Sequence, residues 1–119
     1  MERENRMAQS HLSSNQLGSV APLGARIAGT PSFALVKGRQ LEVMRLTLPA
    51  GKSLPEHSAP GEITVQCLEG RVCFEAGGQR HDMQPGDFVY LQAGLPHALQ
   101  AVTDASLLLT VCLTPSARS

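Results

Sequence analysis

At 119 residues the chain is the size of one ordinary domain and can bury a core of its own. Its ten basic and ten acidic residues balance to zero formal charge at pH 7, so the basic footprint of a nucleic-acid-binding surface is missing. There is no Trp, and Phe33, Phe74, Phe88 and Tyr90 are the only aromatic residues. The core therefore has to come from aliphatic side chains, Met and Cys, and stacking platforms for bases are not expected.

Residues 1–16 are polar and aperiodic, which predicts an arm that is disordered or wraps a partner subunit. Residues 17–30 are weakly apolar and interrupted by Gly18, Pro22 and Gly24, and are expected to form an irregular lead-in strand. The main domain, residues 31–119, reads as short strands separated by turns. The strands are Ser32–Lys37, Leu41–Leu48, Ile63–Leu68, Arg71–Glu75, Gln79–Met83, Asp87–Leu91, His97–Ala101 and Ser106–Leu113. Leu41–Leu48 alternates apolar and polar residues as a half-buried antiparallel strand does. Gly77-Gly78 between two strands is a hairpin signal, and Pro85-Gly86-Asp87 and Ala93-Gly94 are further turns. No stretch beyond residue 30 sustains a helical period without a Gly or Pro. The expected class is all-β, a sandwich or small barrel.

No apolar run approaches the roughly 18 residues of a membrane helix, and the charged N-terminus lacks the apolar stretch of a signal peptide. A cytoplasmic protein with no membrane or nucleic-acid partner is the expectation. Cys67, Cys73 and Cys112 are an odd set without C-x-x-C spacing, which fits neither a disulfide framework nor a zinc knuckle. They read as buried thiols, with Cys67 and Cys73 the two that could face an internal cavity.

Two histidines stand out. His57 lies in Gly51-Lys-Ser-Leu-Pro-Glu-His57-Ser-Ala-Pro-Gly-Glu62, and His97 follows Gly94-Leu-Pro96. With these segments the chain resembles the cupin family. The first cupin motif reads G-x5-H-x-H-x3-E-x6-G, and Gly51, His57 and Gly70 match it. Its second histidine falls on Ala59 and its glutamate on Ile63, with Glu62 one residue early. The second motif reads G-x5-P-x-G-x2-H-x3-N, and Gly86, Gly94 and His97 match, while Gln92 and Ala101 replace the proline and the asparagine. The resemblance implies a double-stranded β-helix, or jelly-roll barrel, with a pocket at its mouth, often in a homodimer. It does not imply one reaction.

In the family, three imidazoles and one carboxylate hold a divalent ion such as Fe, Mn, Ni, Cu or Zn. Here two of the four positions carry a donor. Glu62 is a candidate third ligand, but strand parity points it away unless a bulge at Ala59-Pro60-Gly61 shifts the phase; Gln66 shares its parity. Cys67 has the inward parity of Ile63 and offers a thiolate. His81, on one face of its strand with Met83, is a further pocket candidate. Tyr90, the only tyrosine, would be a proton donor opposite His57 or His97 if it faces inward. Two readings result. One is a binding module that holds a small anionic or carbonyl-bearing molecule between His57 and His97. The other is a metal-dependent oxygenase- or isomerase-like enzyme using those histidines and an atypical third ligand.

Overall fold

The structure, a computed structural model, describes residues 11–113. Nine strands carry the fold: β1 Phe33–Lys37, β2 Leu41–Leu48, β3 Ser53–His57, β4 Ile63–Glu69, β5 Val72–Ala76, β6 Gln79–Met83, β7 Phe88–Leu91, β8 His97–Ala101 and β9 Ala105–Cys112. A five-stranded sheet has the order β1-β2-β9-β4-β7, and a four-stranded sheet the order β3-β8-β5-β6. All pairings are antiparallel. This is the double-stranded β-helix that the sequence led us to expect. No helix among the described residues is long and apolar enough to cross a membrane.

Alternation of side chains builds the core. Ile63, Val65 and Cys67 of β4 face inward with Leu107 of β9 and Leu48 of β2, and meet Val72, Phe74, Leu99 and Met83 of the other sheet in one apolar cluster. The β5–β6 hairpin turns at Gly77 and Gly78, both at positive φ (57° and 79°), the conformation a two-residue hairpin loop with right-handed strand twist requires.

Three local features depart from the sequence reading. Residues 17–23 form no strand, and Gly24–Gly29 is a 3₁₀ helix whose buried Ile27 docks it on the barrel. Most of the predicted N-terminal arm, residues 1–10, lies outside the described residues. The remainder lies beside β1, where the Leu12 N–H donates to the Leu35 carbonyl at 2.8 Å. The third is β3, which the sequence hides because Pro55 interrupts it. Proline is tolerated there because β3 is an edge strand and Pro55 falls in a register irregularity.

The 3₁₀ helix is tied down by charge. Arg45, 2% exposed, donates from Nη2 to Glu69 Oε2 at 2.9 Å and to Ser106 Oγ at 3.1 Å. Glu69 in turn accepts from the N–H groups of Leu23 and Gly24 at 2.9–3.1 Å. Burial alone would push the Glu69 carboxyl up. The Leu23 N–H, the Ser106 hydroxyl, the Gly24 N–H and the Arg45 guanidinium outweigh it and lower its pKa from 4.5 to about 2.

A carboxyl with a depressed folded-state pKa adds stability above its unfolded value and loses it as pH falls through the folded one. A fall from 4.5 to about 2 corresponds to a contribution on the order of 3 kcal/mol, fading between those two pH values. In urea denaturation, Glu69→Gln should be about 3 kcal/mol less stable than wild type at pH 7, because Arg45 is left buried and unpaired. The gap should narrow as pH falls toward 2; a gap independent of pH would show that the carboxylate charge is not what holds the segment.

Candidate functional site

His57 and His97 are direct partners in the β3–β8 ladder. A bulge makes them so. Leu54 pairs with Leu99 and His57 with His97, so three residues of β3 span two of β8. Strict alternation from the inward Leu54 would turn Glu56 in and His57 out, and the extra residue reverses this. The imidazole centroids lie 4.4 Å apart with the planes tilted by 58°. Phe74 stacks on the other side of His97 at 5.8 Å.

Both rings are oriented in the same way. Nδ1 of His57 lies 3.1 Å from the Pro55 carbonyl, and Nδ1 of His97 lies 3.0 Å from the Leu95 carbonyl. A carbonyl can only accept, so each Nδ1 carries a proton and Nε2 is the ring nitrogen left to face a ligand. His57 is exposed, whereas His97 is only 5% exposed and its Nε2 has no protein partner among the described residues. A buried polar atom left over in this way calls for a ligand or an ordered water.

The other two motif positions have become core. Ile63 is buried between Leu91 and Val111, its ladder neighbours, and Ala59 packs against the same cluster while its carbonyl accepts from the Gly94 N–H at 2.9 Å. Two imidazoles with Nδ1 tied to carbonyls are a sound start for a metal site, since such bonds fix the ring and its tautomer. Their spacing also suits neighbouring positions on one ion: with the metal about 2.1 Å from nitrogen, rings at right angles would have centroids roughly 4.5 Å apart. Yet among the described residues no three His, Cys, Asp or Glu side chains converge as a metal-holding group. The residues present do not fit a resident metal.

The remaining candidates lie elsewhere. Glu62, weighed as third ligand, precedes the inward Ile63 and is exposed; its Oε2 accepts a short hydrogen bond from the Tyr90 hydroxyl. No bulge shifts β4 at this end, so both groups are on the outer face of the five-stranded sheet, and Tyr90 does not face the histidine pair. Cys67 does point inward, but four residues from Ile63, roughly 13 Å along the strand. Its Sγ lies 3.5–3.6 Å from the Glu69 and Gly70 carbonyls, and burial pushes the thiol pKa up, away from the thiolate a metal needs. His81 shares the inner face as the ladder partner of Phe74. It stands one strand beyond Phe74 and so two strand spacings, about 10 Å, from the His97 strand. The residue that sequence reasoning passed over is Phe74. Its alternation with Val72 and Ala76 marks it as inward, but nothing marks it as a wall for His97.

The sequence matches the cupin domain family over residues 44–113. The chain belongs to the cupin family. Solved structures agree on the fold of this cupin. A conserved protein of unknown function from Streptococcus pyogenes superposes with a TM-score of 0.70 at 24% identity, covering 92% of this chain and 99% of its own. A cupin superfamily protein from Desulfitobacterium hafniense gives 0.73 at 19% identity, covering 88% and 100%. An RmlC-like cupin from Desulfovibrio desulfuricans gives 0.68 at 26%, covering 82% and 98%. No protein with a curated description matches the chain.

The Glu62–Tyr90 pair is directly observable. The hydrogen bond to Glu62 holds the phenol proton, with smaller contributions from desolvation and the carboxylate charge, so Tyr90 titrates above its ordinary value of 10. With no Trp and one Tyr, near-ultraviolet absorbance reports this group alone. An alkaline titration should place the wild-type midpoint above that of Glu62→Ala; coincident curves would show that the two side chains are not bonded in solution.

Proposed function

We propose that this cupin is a small-molecule-binding protein that seats a hydroxyl-bearing ligand between His57 and His97 at the barrel mouth. The single observation that carries this reading is the unpartnered Nε2 of the buried His97 beside the similarly oriented His57. Two ring Nε2 atoms side by side, each with its Nδ1 already held by a carbonyl, are placed to meet the hydroxyl groups of one ligand. Phe74, stacked on His97, supplies an apolar neighbour of the kind small-molecule sites use. The protein acts in the cytoplasm on this reading.

The test is thermal-shift screening of small hydroxylated compounds, followed by calorimetry. Ligands found this way should bind His57→Ala and His97→Ala at least about ten-fold more weakly, a loss of roughly 1.4 kcal/mol. Undiminished binding by both variants sinks the proposal. So does elemental analysis of chelator-free protein showing about one equivalent of a divalent metal that both variants lose; that result would favour the metal-dependent enzyme.

The same reading includes a homodimer formed through the outer face of the five-stranded sheet. Phe88 and Tyr90 are 60% and 56% exposed there, and Leu108 and Val43 lie on the same face. Such a grouping is unusual on a surface left in water. Light scattering should give about twice the 12.6 kDa chain mass, and Phe88→Glu should return it to one chain. A wild-type mass of one chain refutes the dimer.

A further inference from the structure

A second concave site lies on the flank of the barrel, away from the histidines. β1 leaves β2 after the Phe33–Arg45 pair, so Leu46–Leu48 has no strand paired to it on that side. β3 belongs to the other sheet, and the two sheets part here, bridged by the loop from Pro49 to Lys52. The opening is a cleft of about 590 Å³. That lies within the range of small-molecule sites, roughly 300–1,000 Å³. Its apolar walls are the partly buried Leu46 and Leu54, with the buried Leu48 and Ile27 behind them.

The polar groups on the wall are already occupied with one another. Thr47 donates its hydroxyl to the Thr30 carbonyl and its N–H to Ser32 Oγ at 2.9 Å. They therefore present little unmet hydrogen bonding to an occupant. Lys52 differs. It is exposed, lines the cleft, and makes no ion pair among the described residues. No acidic side chain lines the cleft. An aliphatic floor with one free ammonium at its rim is complementary to a molecule with an apolar body and one negative end.

We infer that this cleft binds an amphiphilic monocarboxylate, its chain against Leu46 and Leu54 and its carboxylate on Lys52. The site is separate from the histidine pair, since Lys52 precedes β3 and His57 ends it, five residues or roughly 16 Å away. The two can therefore fail independently.

The experiment uses the full chain and octanoate, followed by amide chemical shifts, with octylammonium as a probe of equal length and opposite charge. Octanoate should give saturable shifts centred on Ile27, Lys52 and Leu54. Lys52→Met, at an exposed position outside the core, should weaken binding at least about five-fold, and His57→Ala should leave it unchanged. The inference is overturned by an absence of saturable shifts, by equal binding of octylammonium, or by equal affinity in Lys52→Met. It is equally overturned if the affinity drops only in His57→Ala, or if the cleft amides respond to protein concentration and not to octanoate, which would make a second copy the occupant.

Discussion

The constraint on which this structure depends is the two-residue alternation of side chains, held in register because β9 pairs with β2 on one side and β4 on the other. Once Leu107 faces inward, its ladder partners Leu46 and Cys67 must as well, and Leu108 sets Arg45, covered by the 3₁₀ segment, and Gln66 on the opposite face of the sheet. Tyr90 follows by the same rule, since it pairs with the outward Thr64. The outer position of the Glu62–Tyr90 pair is thus a consequence of core packing. Moving either into the barrel would turn Ile63, Val65 and Leu91 out into water.

The groups of greatest chemical interest sit where the alternation is broken. The bulge in β3 turns His57 inward to meet His97. A second irregularity, in β4, lets Cys67 pair with Leu107 and Glu69 with the adjacent Ser106. Two residues of β4 then span one of β9, and Glu69, which strict parity would bury among the core leucines, emerges beside Arg45 and Ser106. Gly70 follows at φ 80°, and a Cβ there would overlap the Asp104 carbonyl, so the turn that completes this exit accepts only glycine without rearrangement.

This division explains what was legible in the sequence. Leu41–Leu48, Gly77-Gly78 and the spacing of the turns state the strand content, because alternation and positive-φ glycines are local properties. His57 and His97 were found by motif. Their parity was not found, because a bulge is settled by the partner strand and Pro55 gives no hint of which side it will favour. Ser53–His57 was missed as a strand for the same reason, and the Arg45–Glu69 pair because its members are 24 residues apart and meet only through β9. The lead-in segment was misread as a strand because its weak apolar pattern reflects one anchoring residue, Ile27, on a 3₁₀ turn held by Glu69.

The loss of donor atoms at Ala59 and Ile63 also has a packing consequence that bears on chemistry. In the family motif, polar ligands at these positions would have to be satisfied by an ion or by one another. Here both positions are aliphatic, with Ile63 between Leu91 and Val111 and Ala59 packed against the same cluster. Restoring an imidazole at Ala59 alone would add a polar group against the apolar cluster without the carboxylate that completes the set, while a carboxylate at Ile63 alone would be buried without a cation. A four-donor set would need both changes together. What the barrel presents here is a pair of imidazoles whose Nδ1 atoms are already engaged, His97 backed by Phe74.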